Sequence, residues 1–245
     1  MLLKNSPGKK QCTFFCTGNV AEKFPELIQR ISCDGHEIAC HAYQHVDISK
    51  LTNYEFEKDL EKGIHFLNKA CGKEIKGYRA PMFSLPKDDH SKYSILEKYF
   101  QYDSSLVIDS HEVNKYFVNG RYKNTDLRVL PLLSIQTLIF KKKIIGGTYL
   151  KVSSLGDAKK YLTESLKNAL QPIIYMHPYE FDNNHDFWVS LEDLKKSNCP
   201  TLERFFYQIK QHQWHSFNAS SIKKLSALLE LYPNIGRADK YLEIE

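Results

Sequence analysis

The stretch Ser32–Asp47, SCDGHEIACHAYQHVD, decides how the chain is read. Gly35 ends a preceding helix, and Glu37 to Cys40 is a short apolar strand that delivers His41 at its C-terminal end. His41 and His45 are four apart, and on a helix positions i and i+4 share a face, so both imidazoles would reach one ion. Imidazole nitrogen suits zinc and similar divalent metals. The chain holds 10 histidines in 245 residues, so one such pair also arises by chance. Its meaning depends on the rest of the sequence.

Upstream, Cys12 to Cys16 is a β-rich apolar strand ending at Thr17-Gly18-Asn19, and Ala21 to Ser32 has helical spacing. Downstream, Thr52 and Glu55 form a capping box for a helix that runs to about Cys71 and stops at Gly72. Ile75–Tyr78 reads as a strand leading into Arg79-Ala80-Pro81, Ser91–Tyr99 as a helix, and Gln101–Ser105 as extended. His111 to Leu133 is weakly periodic, with one strand at Leu127–Leu130. Ile144–Tyr149 is a strand or loop, Gly156–Leu170 a helix, and Pro172–Met176 an apolar strand delivering His177. Leu202–His212 and Ser220–Tyr232 are helices flanking a short strand at Trp214–Phe217, and the residues after Pro233 form a polar, loosely held tail. Strands alternating with helices imply an α/β fold with a parallel sheet, open or closed into a barrel. With no repeat, linker or low-complexity segment, residues 1–245 read as a single domain.

Apolar residues make up 42% of the chain, enough for a sizeable core, and the net charge is +5. The only basic run, Lys141–Lys143, reads as a solvated turn, which argues against nucleic acid as a partner. No run is long enough for a membrane span. The six cysteines include no CxxC pair. Scattered thiols and an N-terminal stretch without an apolar h-region point to a cytoplasmic protein.

Four polar clusters then follow strands: His41/His45, Arg79, Asp103 and His177. Strand ends are where α/β proteins build their sites. Each cluster has a plain alternative. Arg79 serves equally as an ion-pair partner, Asp103 as a turn former or helix cap, and His177 as a core histidine.

The set TFFCTGNVAEKFPELI from Thr13, SCDGHEIACHAYQH from Ser32, GYRAPMFSL from Gly77, YDSSL from Tyr102 and IIYMHPYEF from Ile173 resembles, in order and spacing, the polysaccharide deacetylase family, the NodB-homology carbohydrate esterases. The HPYE form resembles a subgroup linked to exopolysaccharide or O-antigen biosynthesis. The resemblance implies a distorted (β/α) barrel and a divalent metal, zinc first, held in its mouth by His41, His45 and a carboxylate. It implies metal-assisted removal of N-acetyl groups from a glycan or sugar. His177 would protonate the departing amine, Asp103 would orient His177, and Arg79 would position the general base. Tyr78, Ala80 and Pro81 would contact substrate, with backbone N–H groups at Arg79 and Ala80 helping to hold the oxyanion; Tyr179 and Trp188 serve equally as sugar platforms or as core aromatics.

The sequence departs from the family at one point. The family's TFDD-type strand, source of the catalytic base and the metal carboxylate, should precede TFF, yet Met1 to Cys12 contains no aspartate or glutamate. The chain therefore resembles a member without its first strand and helix. Two expectations follow: little or no deacetylase activity, and a sheet edge covered by the N-terminal tail or by a second copy in a homo-oligomer. A sugar- or protein-binding module and a metal-independent hydrolase of small cyclic amides stand as alternatives.

Overall fold

The computed structural model describes residues 11–134, 146–197, 199–232 and 236–244. Lys141–Lys143, with Ile144 and Ile145, lie outside the described residues. Contacts group the chain into two compact units: residues 1–133, 168–171 and 234–245 in one, and 134–167 with 172–233 in the other.

The first unit opens with β1 (Thr13–Cys16), α1 (Gly18–Lys23), α2 (Pro25–Cys33), β2 (Glu37–Cys40), α3 (Asn53–Cys71), β3 (Gly77–Tyr78), α4 (His90–Tyr99) and β4 (Tyr102–Asp103). After β5 (Val107–Ile108) come a short α5 (Val113–Tyr116), β6 (Phe117–Val118), β7 (Arg121–Tyr122), β8 (Arg128–Val129) and β9 (Leu132–Leu133). One sheet has the order β1-β2-β3-β4-β8-β7-β6, and β5 pairs with β9 in a second. Pairing is parallel from β1 through β4 to β8, and antiparallel from β8 through β7 to β6. This is the α/β class expected, with β1 an outer strand of its sheet among the described residues.

Local chemistry explains the elements. Thr52 Oγ1 accepts from Glu55 N–H while Glu55 accepts from Thr52 N–H, and Gly72 ends α3 in the left-handed region, as the sequence predicted. Phe56, Leu60 and Leu67 of α3 are fully buried, each contributing about 1.5–3 kcal/mol relative to exposure. The continuous helix expected over Ala21–Ser32 is two helices. Pro25 disfavours helical geometry at Phe24, which sits at φ −136°, ψ 58°. α1 and α3 then meet backbone to backbone: a Cβ on Gly18 would lie 2.6 Å from Gly63 Cα.

The tail is ordered from Gly236 rather than loosely held. α11 (Ala238–Ile244) begins where Ala238 N–H donates to Thr13 Oγ1 (2.9 Å) and Asp239 N–H donates to Glu37 Oε2 (3.2 Å). Glu37 is buried, also accepts from Tyr102 Oη (2.8 Å), and is pushed up in pKa by that burial.

The second unit holds α6 (Gly147–Val152), α7 (Leu155–Lys167), α8 (Leu191–Lys196), α9 (Thr201–His215) and α10 (Asn218–Leu231). Three expectations change here. Gly147–Tyr149 is helical. Among the described residues, the run Pro172–Met176 forms a single bridge, Tyr175 to Gly146, in place of the expected strand. Trp214 and His215 continue α9, because buried Gln211 and His215 lie on one helical face and carry the helix past the expected stop at His212.

Candidate active site

Parallel pairing brings the carboxyl ends of β1 to β4 to one edge, and the ladder runs one residue further. His41 N–H donates to Cys16 O (2.9 Å), Arg79 N–H to Cys40 O (3.0 Å) and Ser104 N–H to Tyr78 O (2.8 Å). His41, Arg79 and Ser104 are therefore the first residues beyond three neighbouring strands, at the edge where such folds place chemistry.

The segment His41–His45 is a loop, not the helix used to pair its histidines. Ala42 adopts φ 64°. Gly18 N–H donates to Ala42 O (2.9 Å) and Asn19 N–H to Tyr43 O (3.0 Å). Asp59 of α3 accepts from the N–H groups of Tyr43 (2.7 Å) and Gln44 (3.3 Å). The turn still sets the two rings face to edge, with centroids 5.2 Å apart. Nδ1 of His41 lies 2.6 Å from Arg79 O. A carbonyl only accepts, so Nδ1 carries the proton and the lone pair belongs to Nε2.

Arg79 is 8% exposed. Its Nε donates to Ser104 O (3.0 Å), its Nη2 to Ser104 Oγ (2.7 Å), and its guanidinium lies 4.1 Å from the Phe15 ring centroid. Ser104 Oγ passes its own proton to Leu130 O (2.9 Å). Asp103 is fully buried; its carboxylate accepts from Ser105 N–H (3.0 Å) and from Ser105 Oγ. Burial pushes its pKa up from 3.8 to about 6, opposed by the Ser105 hydrogen bonds and by Arg79. Ser104, Ser105 and Asp59 are the organising residues that motif reading missed. The serine pair after Asp103 was a visible signal, whereas Asp59 sits among the ordinary polar positions of a long helix.

His177 belongs to the second unit, before the turn Pro178–Phe181. Its ring stacks on Tyr179 (5.0 Å, 8°) and meets the edge of Tyr175 (5.6 Å). The expected substrate contacts are placed as follows. Tyr78 is fully buried between Phe56 and Phe100. Pro81 is buried at the start of a short turn. Trp188 packs on His185, His212 and His215. The oxyanion role drawn from the sequence for the N–H groups of Arg79 and Ala80 does not stand. The first is in the ladder to Cys40 O, and the second donates to Ser105 Oγ (2.7 Å).

Two imidazoles, such as those of His41 and His45, would make up only two of the four ligands of a tetrahedral zinc shell. Among the described residues, no group of three or more His, Cys, Asp or Glu side chains is placed to hold a metal ion. Asp47 instead caps the Ile48–Lys50 turn through Ser49 N–H (3.1 Å), and Asp59 holds the loop. The described residues therefore do not complete the metal site that the resemblance implies.

The polysaccharide deacetylase family model matches residues 8–96, the segment that carries β1, the histidine loop and the Arg79 turn. Over that segment the chain is similar to the polysaccharide deacetylase family. It is similar to the peptidoglycan deacetylase-like protein FGM2 of Gibberella zeae, 33% identical over 114 residues, which cover 46% of this chain and 32% of that protein. It is also similar to the peptidoglycan-N-acetylglucosamine deacetylase of Bacillus cereus, 37% identical over 71 residues, covering 29% of this chain and 26% of the relative. The chain thus spans about a third or less of the length of these curated relatives. Among solved structures, a CE4 family pseudoenzyme from Bacillus anthracis gives a TM-score of 0.49 at 13% identity, over 98% of this chain and 57% of that one. That likeness is too slight to bear on chemistry.

Proposed function

We propose that this deacetylase-family chain is a hydrolase-type domain directed at the N-acetyl group of a glycan, and that it is catalytically weak or silent as it stands. The observation that carries both halves is the His41–His45 pair: held at the strand ends with centroids 5.2 Å apart, yet with no third ligand among the described residues. The named substrates of relatives, N-acetylglucosamine and N-acetylmuramic acid of peptidoglycan and chitooligosaccharides, all carry the same acetamido group. We carry that group, and no particular polymer, to this chain.

The proposed roles follow from side-chain chemistry. Arg79 and Asp103 hold the loops behind the histidine pair. His177 is the proton donor to a departing amine, since imidazole exchanges protons near neutral pH. Zinc is the proposed ion for two imidazoles, bound more weakly than by two imidazoles and a carboxylate. A cytoplasmic setting is supported by six thiols, none in a disulfide. No helix among the described residues is long and apolar enough to cross a membrane. A glycan of exopolysaccharide or O-antigen type is supported by the HPYE form alone. A homo-oligomer is supported by β1 being an outer strand among the described residues.

Acetate release from N-acetylated chitooligosaccharides with added zinc, nickel or cobalt should stay at the blank level. Turnover equal to that of a full-length relative would overturn the silent half. NMR titration should show binding of the N-acetylated oligomer and weaker binding of its deacetylated counterpart. Equal binding of the two would overturn the substrate class.

A further inference from the structure

We propose that Glu180, not Asp103, is the carboxylate that positions the imidazole of His177. The inference rests on the reading of His177 as a proton donor, but its test needs no turnover.

Local sequence sets the geometry. Pro178 opens the turn Pro178–Phe181, and Glu180, at the third position, folds back so that Oε2 accepts from His177 N–H (2.8 Å). The same oxygen lies 3.5 Å from His177 Nδ1. Glu180 is fully buried, while the His177 side chain is 45% exposed. The ring cannot swing freely, because Tyr179 covers one face and Tyr175 abuts it. Nδ1 is thus the inward nitrogen and Nε2 the one left to meet a ligand.

A cap alone does not account for Glu180. Capping uses Oε2 on one backbone N–H, and a glutamine would serve as well. Instead a carboxylate is retained where burial is complete, and neither its Oε1 nor His177 Nδ1 has a hydrogen-bond partner among the described residues. A buried carboxylate is costly without a cation. The charged groups facing it are Lys151, whose ammonium donates to Trp214 O and lies 5.6 Å from the Tyr179 ring centroid, and the His177 imidazole. At 3.5 Å the carboxylate and imidazole are one small side-chain rotation from a hydrogen bond. Asp103, by contrast, accepts from both the N–H and the hydroxyl of Ser105.

The test is the tautomer of His177, read from long-range ¹H–¹⁵N correlations of the whole chain well above the ordinary histidine midpoint, with His177→Asn to assign the ring. The wild type should carry its proton on Nδ1. Glu180→Met, of similar volume without an acceptor, should lose that preference, Glu180→Gln should restore it, and Asp103→Asn should leave it unchanged. An Nε2–H tautomer in the wild type overturns the proposal without recourse to any variant, so it stays testable if Glu180→Met does not fold. An unchanged tautomer in Glu180→Met, or one altered in Asp103→Asn, overturns it equally. A chain that releases no acetate but shows the Glu180-dependent Nδ1–H tautomer supports the positioning and fails only the catalytic reading.

Discussion

The strand-end cluster of the first unit and the His177 turn of the second use similar residue types to opposite ends. Around Arg79, donors and acceptors close on one another: Arg79 to Ser104, Ser104 to Leu130 O, Ala80 to Ser105, Ser105 to Asp103. Around His177, buried polar atoms are left over. Of the seven buried side-chain atoms without a partner among the described residues, five lie in the second unit: Ser153 Oγ, His177 Nδ1, Glu180 Oε1, Asn218 Oδ1 and Ser221 Oγ. A closed network fixes geometry and is expensive to cut. An open one holds polar groups that still have bonds to give, which suits a place where a ligand or proton arrives.

The strongest test of this contrast is Arg79→Met. It strips Ser104 of a charged donor and leaves buried Asp103 without its cation, and should cost about 3–5 kcal/mol in denaturant unfolding. A cost under about 1 kcal/mol would show that the network is not closed in solution. Next comes pH. The Asp103 pKa is raised in the folded state, from 3.8 to about 6. The fold therefore binds this proton more tightly than the unfolded chain does. Stability from Asp103 is highest below pH 3.8 and is lost as pH rises to about 6. Relative to Asp103→Asn, the wild type should lose up to about 3 kcal/mol across that window and stay level above it. A flat difference would mean that Asp103 is better solvated than its burial implies.

A matched pair of identical substitutions sharpens the comparison further. Ser104→Ala removes the bonds that Ser104 Oγ makes with Arg79 Nη2 and Leu130 O and should cost about 2 kcal/mol. Ser221→Ala removes a buried hydroxyl that has no partner among the described residues, and should change stability by less than about 0.5 kcal/mol or raise it. Equal costs at the two sites would erase the distinction.

The sequence was legible where one local rule acts without competition. Thr52, Glu55 and Gly72 bound α3 as read, because capping is decided within a few residues. β2 was legible because Gly35 and His41 bracket a short apolar run. Helical spacing over Ala21–Ser32 outweighed Pro25 in the reading, but the proline prevails in the chain. Pro172–Met176 shows why the second unit was harder. An apolar run states that a segment is to be buried, not how many of its residues will pair, and among the described residues only Tyr175 does. In the site, the chemistry-bearing types His41, His45, Arg79 and Asp103 were visible. Of their supports, Ser104 and Ser105 stood in the YDSSL motif without a role, and Asp59 gave no signal, because a serine or aspartate acquires that role only from what the fold sets beside it.

The bond from Ala238 N–H to Thr13 Oγ1 spans 225 positions. During synthesis, β1 is made before those residues and must wait for them before its hydroxyl meets this donor. Until those residues are made, the Glu37 carboxylate lacks the Asp239 N–H that reaches it in the finished unit. Contacts this distant in sequence close late and slow folding. β1 is thus completed by residues made 225 positions after it.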